Sequence, residues 1–174
     1  MRGWLLLTPL LALAPAWGED ASKLAIGSEA PPFTLKTLGS QKPITLRDYV
    51  GKSPKEPKKA VLLSFAASYC EPCKKELAEL VHLVPEWEKK GVLTVVVLID
   101  TDAEDIAKMQ RFIEGELKAG YPVLADRFNI LARRYRAELL PYAVLVDAAG
   151  NVHWVSSGYD LKALQAAVLG LARG

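Results

Sequence analysis

The two cysteines of this 174-residue chain, Cys70 and Cys73, lie three positions apart in the sequence Cys-Glu-Pro-Cys. An apolar run at 60–65 precedes them and a helical pattern of apolar residues follows, so the pair is expected where a strand passes into the first turn of a helix. Unpaired backbone N–H groups and the positive end of the helix dipole favour a thiolate there, and a thiolate is the form that attacks a disulfide. Cys73, one turn later, can attack a mixed disulfide formed at Cys70. The spacing therefore predicts a redox-active pair.

The remainder of the chain alternates between strand and helix patterns. The apolar runs at 61–65 and 92–99 are rich in β-branched residues and are typical of strands buried on both faces of a sheet. Residues 142–147 and 152–155, separated by a turn at 148–151, predict a β-hairpin. Other predicted elements are short strands at 33–36 and 44–46, an extended piece at 120–124, and helices at 73–87, 102–118, 128–135 and 161–171. This order predicts an α/β fold, with a central mixed β-sheet and helices on both faces.

Residues 1–18 have the pattern of a secretory signal peptide. Arg2 supplies a positive charge, residues 4–14 are mostly apolar, and small residues follow at 14–18. A bilayer span needs about 20 apolar residues, which weakens the alternatives of an uncleaved anchor or a buried N-terminal helix. We therefore expect a cleaved signal peptide, one domain at 19–174, and a periplasmic or otherwise exported protein. The formal net charge of +2 gives no electrostatic case for nucleic acid.

With these residues in place, the chain resembles the TlpA/ResA-like branch of the thioredoxin superfamily. The resemblance runs from about Gly27 to the C-terminus. It rests on the lead-in Ile-Gly-Ser-Glu-Ala-Pro-Pro-Phe-Thr-Leu at 26–35, the run Cys-Glu-Pro-Cys-Lys-Lys-Glu at 70–76, and Leu-Leu-Pro-Tyr-Ala-Val-Leu-Val-Asp at 139–147. Peroxiredoxins share the lead-in, whereas the combination is specific to the branch. It implies a thioredoxin-like fold over 19–174 and an enzyme, a thiol–disulfide oxidoreductase without a bound cofactor or metal, acting as a reductant in cytochrome c maturation or copper-site assembly.

The resemblance also assigns roles to individual residues. It makes Cys70 the exposed nucleophile, Cys73 the resolving thiol, and Glu76 an acidic residue that assists proton transfer. Pro141 is implied to be a cis-proline that faces the cysteine pair. The surface that clients touch is implied to include Tyr69, Glu71, Pro72, Leu140 and Pro141.

The chain departs from the pattern of the branch around the cysteine pair. Members usually have Phe-Trp-x-x-Trp-Cys, whereas this chain has Phe-Ala-Ala-Ser-Tyr-Cys at 65–70, so one tryptophan is lost and Tyr69 replaces the other. Thioredoxin has a buried aspartate at the position of Ser64, and the residue before the cis-proline is commonly threonine or valine rather than Leu140. These changes alter the surface that faces clients and leave client identity and reduction potential open.

Several alternatives stay open at this point. The cysteines also fit a structural disulfide or half of a zinc site, although zinc prefers four ligands and His82 and His153 show no paired spacing. A copper(I)-binding metallochaperone using the same pair is the alternative from a different functional class, because thiolates favour copper(I). An alternative interpretation of Glu76 is a solvated helix residue beside two lysines. An alternative interpretation of Pro141 is an ordinary trans-proline. A peroxiredoxin is excluded, because no threonine stands three residues before either cysteine.

The expected partners are cysteine-containing exported proteins and an upstream thiol protein that donates electrons. We expect no nucleic acid partner, membrane contact only through an uncleaved signal segment, and a monomer. The direction of electron flow depends on the reduction potential of the pair relative to that donor. The sequence therefore predicts the exchange reaction but not its direction.

Overall fold

The computed structural model describes residues 24–173, so the predicted signal peptide at 1–18 lies outside the described residues. Within them the chain begins with a small antiparallel hairpin, β1 (Thr34–Lys36) and β2 (Pro43–Thr45), followed by a single 3-10 turn at Leu46–Asp48. The main sheet follows, and its strands are β3 (Ala60–Ala66), β4 (Val92–Leu98), β5 (Val123–Ala125), β6 (Tyr142–Asp147) and β7 (Val152–Ser157). The helices are α1 (Glu71–Lys89), α2 (Ala103–Gln110), α3 (Ile130–Tyr135) and α4 (Leu161–Arg173).

The main sheet is mixed and has the strand order β5-β4-β3-β6-β7. β3, β4 and β5 are parallel, whereas β6 pairs antiparallel with β3 and β7 antiparallel with β6. Side chains of β3 alternate between two apolar clusters, as the period of a strand requires. Leu62 packs with α1, α2 and α4 on one face, and Phe65 packs with α3 and the first hairpin on the other. The predicted mixed sheet with helices on both faces is confirmed.

The structure extends the helix predicted at 73–87 by two residues at each end and the helix predicted at 161–171 by two residues at its C-terminal end, and the other two predicted helices also differ. The helix predicted at 128–135 begins at Ile130, because the buried carboxylate of Asp126 accepts hydrogen bonds from the N–H groups of Ile130 (3.0 Å) and Ala132 (2.7 Å). Phe128 is left exposed before that helix. The helix predicted at 102–118 is α-helical to Gln110 and continues in π-helical form through Arg111–Glu116.

One edge of the sheet collects the ends of all five strands, because the carboxyl end of β7 lies beside the amino end of β6 there. The carboxyl ends of β3, β4 and β5 meet there because the three strands are parallel. The amino end of β6 reaches the same edge, because Phe65 of β3 pairs antiparallel with Tyr142. We call this the active edge, since Cys70 follows β3 and Pro141 precedes β6. No helix within 24–173 has both the length and the apolar character needed to cross a bilayer.

Candidate active site

The cysteine pair occupies the start of α1. Cys70 is the N-cap residue, Pro72 lies in the first turn, and the Cys73 N–H donates a hydrogen bond to Cys70 Sγ at 3.2 Å. The two sulfurs form a disulfide with a Cα–Cα distance of 5.2 Å. In the reduced protein the Cys73 N–H and the positive end of the α1 dipole favour a thiolate at Cys70, as the sequence predicts.

The exposure of the two sulfurs differs from the simplest expectation. The resemblance implies an exposed nucleophile, but in the disulfide form Cys70 is only 7% exposed and Cys73 is 1% exposed. The reason is that both side chains belong to the apolar cluster between α1 and the sheet. Cys70 remains the more accessible of the two, and its role as the attacking residue stays a prediction.

The connection between β3 and Cys70 is held by Asp100, a residue that sequence analysis did not single out. Its carboxylate is 4% exposed and accepts hydrogen bonds from the Ser68 N–H (3.0 Å to each oxygen) and from the Ser68 hydroxyl (2.8 Å). Asp100 lies just beyond β4, where Ile99 N–H donates to the carbonyl of Ala66 at the end of β3. The signal that could have revealed this contact is an aspartate directly after an apolar strand. Neighbouring parallel strands end at the same edge, so residues that follow them can meet there.

We expect replacement of Asp100 by alanine to destabilise the protein by about 2–4 kcal/mol, because two Ser68 donors lose their partner in a nearly buried site. Urea denaturation of the oxidised protein measures this difference. Asp105→Ala is the matched control, since Asp105 forms only an exposed ion pair with Lys108 and should change stability by less than about 1 kcal/mol. Equal effects of the two substitutions would show that the Asp100 contacts do not anchor the loop.

Glu76 is a buried residue of α1, three positions after Cys73. Its side chain is 3% exposed, and Ser64 Oγ on β3 donates a hydrogen bond to Glu76 Oε1 at 2.8 Å. Burial raises the pKa of Glu76 above its ordinary value, and the hydrogen bond from Ser64 offsets part of that shift because it favours the ionised form. The alternative of a solvated Glu76 is therefore wrong. Cys73 lies one turn before Glu76 on the same buried face of α1.

Other residues in the predicted client surface lie at the active edge. The Leu140–Pro141 peptide bond is cis, Pro141 is buried, and its carbonyl accepts a hydrogen bond from the Gly158 N–H at 2.8 Å. Tyr69 is 73% exposed beside Cys70. Glu71 and Pro72 are exposed in the first turn of α1, and Leu140 is half-buried. Contact of these residues with clients stays a prediction.

Comparison with known proteins gives consistent matches. The profile of the AhpC/TSA family matches residues 26–155. The thiol-disulfide oxidoreductase ResA of Bacillus thuringiensis subsp. konkukian is 34% identical over 140 residues, which cover 80% of this chain and 74% of that protein. ResA of Geobacillus thermodenitrificans is 29% identical over 166 residues, with 93% and 88% covered. The solution structure of a thiol:disulfide interchange protein from Bacteroides sp. has a TM-score of 0.68 and 25% identity, with 87% of this chain and 92% of that chain covered.

Proposed function

Since the chain belongs to the AhpC/TSA family, in its thioredoxin-like TlpA/ResA branch, and is a thiol–disulfide oxidoreductase, we propose that it reduces disulfides in exported client proteins. The observation that carries the proposal is the buried carboxylate of Glu76, one helical turn from Cys73. A negative charge there opposes thiolate formation and partly cancels the effect of the helix N-terminus on Cys70. The dithiol is then less stabilised than in a strong oxidant, which favours donation of electrons to clients.

The reduction proceeds in two exchanges. The Cys70 thiolate attacks one sulfur of the client disulfide, forms a mixed disulfide and releases one client thiolate. Cys73, deprotonated by Glu76, then attacks Cys70 Sγ, breaks the mixed disulfide and releases the second client thiolate, which takes up the proton. The client gains two electrons, and the pair loses two as the Cys70–Cys73 disulfide forms. An upstream thiol protein returns the pair to the dithiol form.

The proposed setting is outside the cytoplasm. The signal peptide pattern at 1–18 supports export, and the resemblance to the TlpA/ResA branch supports clients in cytochrome c maturation or copper-site assembly. Disulfides persist in such oxidising compartments, where a dedicated reductant has substrates. The contact surface proposed for these clients consists of Tyr69, Glu71, Pro72, Leu140 and Pro141.

We expect a redox titration of the purified domain against glutathione or dithiothreitol to give a midpoint below about −240 mV, close to thioredoxin rather than to a strong oxidant at about −120 mV. Tryptophan fluorescence or alkylation follows the fraction of dithiol. A midpoint near the strong oxidant would show that the protein oxidises its clients. Copper(I) competition against a chelator is the parallel measurement: copper binding that outcompetes the chelator, without disulfide reduction, would favour the metallochaperone alternative.

A further inference from the structure

Large exposed apolar side chains concentrate at the active edge. Of the six among residues 24–173, only Ile26 lies elsewhere. The other five follow or precede strand ends at that edge: Tyr69, Phe128, Ile130, Leu139 and Tyr159. Isolated exposed apolar residues are ordinary, but their collection at one edge indicates an interaction surface.

Four exposed arginines lie in the same segment as Phe128 and Ile130, and we call them the arginine face: Arg127, Arg133, Arg134 and Arg136. Among the described residues, none of the four has a carboxylate oxygen within 4 Å, as is also true of isolated exposed cations such as Lys52 and Lys90; what distinguishes the four is that they lie within ten residues of one another. The adjacent Asp126 is 3% exposed and already accepts two backbone N–H groups. Glu138 is the exposed carboxylate of this segment and pairs with none of the four. The arginine face therefore carries uncompensated positive charge.

A groove adjoins the arginine face. Its volume is about 350 Å³, and it is lined by apolar side chains that include Phe33, Leu35, Phe128 and Ile130, with Arg127 and Arg134 beside them. Arg134 Nη1 donates to the carbonyl of Pro32 at 2.8 Å, which holds this cation at the groove. A segment that places an apolar residue in the groove and carboxylates against the arginines would match both properties.

The groove lies within reach of a client bound at Cys70. Residues 126–140 begin at the carboxyl end of β5 and return to the amino end of β6, so both ends of the segment are at the active edge. β5 is two strands from β3, a lateral separation of about 10 Å at about 4.8 Å per strand. The groove lies on the face of the sheet opposite α1, so a client must also extend around the active edge to reach it. A typical interface buries about 800 Å² per partner, which is wide enough to include both features.

We propose that the arginine face and its groove bind an acidic segment of the client, with carboxylates that flank an apolar residue, while Cys70 exchanges with the client disulfide. That the partner is a client of the enzyme rests on the proposed function. Uncompensated cations beside an apolar groove accelerate encounter with an acidic segment and select against basic ones. The arginine face thus selects clients by charge, a role separate from the exchange chemistry.

The test measures binding separately from redox chemistry. Two fluorescent, cysteine-free peptides share one leucine, flanked by aspartate and glutamate in one and by lysine in the other, and fluorescence polarisation gives the affinity of each for the oxidised protein. We expect the acidic peptide to bind at least tenfold more tightly at low salt, and this preference to fade as salt screens the charges. In the double variant Arg127→Glu/Arg133→Glu the preference should vanish or reverse. Arg134 is left in place because it contacts Pro32.

The double variant Lys52→Glu/Lys90→Glu is the control, because it makes the same change of net charge at exposed positions away from the active edge. It should retain the preference for the acidic peptide. Equal binding of the two peptides, or a preference that survives reversal of the arginines, would overturn the proposal. Arginine-dependent binding to phosphatidylglycerol vesicles without binding of the acidic peptide would also overturn it and assign the surface to a membrane.

Reduction of hydroxyethyl disulfide, a small neutral substrate, distinguishes this proposal from the proposed function. Both double variants should reduce it at the wild-type rate, since neither changes the cysteine pair or Glu76. If the wild-type protein reduced hydroxyethyl disulfide but bound the two peptides equally, only the proposal about the arginine face would be overturned. Failure of the wild-type dithiol to reduce this disulfide would overturn the proposed function and leave the peptide measurement to decide the arginine face.

Discussion

Replacement of Cys70 by serine is expected to abolish disulfide exchange, whereas replacement of Cys73 by serine is expected to leave a protein that accumulates mixed disulfides with clients. Cys70 lies at the N-cap of α1, its sulfur accepts a hydrogen bond from the Cys73 N–H, and it is the more accessible of the two cysteines. Loss of the attacking group should lower the exchange rate at least about a thousandfold, since the removal of a nucleophile commonly costs that much or more. Non-reducing electrophoresis after reaction with a disulfide-bonded peptide separates the two outcomes.

Alkylation of the reduced wild-type protein is the control for this assignment. Iodoacetamide should label Cys70 faster than Cys73, because the thiolate reacts and Cys73 is almost fully buried. Faster labelling of Cys73, or mixed disulfides that accumulate in Cys70→Ser rather than in Cys73→Ser, would exchange the two roles.

The second large effect is expected for Glu76→Gln, in which the amide still accepts the Ser64 hydrogen bond but no longer accepts a proton. If Glu76 deprotonates Cys73, resolution of the mixed disulfide at pH 7 should slow by about 10²–10⁴-fold, the usual contribution of a general base. Loss of the negative charge should also lower the pKa of Cys70 and make the disulfide easier to reduce. Stopped-flow resolution of a preformed mixed disulfide, thiolate absorbance and a glutathione equilibrium measure these three effects. Glu79→Gln is the matched control, because Glu79 is exposed on the same helix.

The pH dependence of stability tests the burial of Glu76 independently of catalysis. Because burial raises the pKa of Glu76 in the folded state, its contribution to stability is complete below the unfolded value of about 4.5 and declines as pH rises through the folded value. Glu76→Gln should remove this decline, so the variant should gain stability relative to wild type between pH 4 and pH 8. If the free energy of unfolding changed with pH in the same way in wild type and variant between pH 4 and pH 8, the raised pKa of Glu76 would be contradicted.

The features that follow from local sequence were predicted well. The Cys-Glu-Pro-Cys spacing after an apolar run placed the pair at the start of α1, because strand and helix periods are properties of consecutive residues. The continuous apolar runs that became β3 and β4 indicated a sheet covered on both faces for the same reason. The start of α3 was misplaced by two residues, because the buried carboxylate of Asp126 sets it and no local pattern reveals that burial.

What the sequence by itself determined is the cysteine pair, the order of the elements and the likeness to the TlpA/ResA branch. The tertiary structure alone decided which polar side chains surround the pair. Ser68 meets Asp100 across 32 residues because β3 and β4 end at the same edge, and Ser64 meets Glu76 because α1 packs over β3. The uncompensated charge of the arginine face is likewise a tertiary property, because the fold decides which carboxylates lie near the arginines. Such contacts depend on strand register and helix packing, which bring together residues that no local period connects.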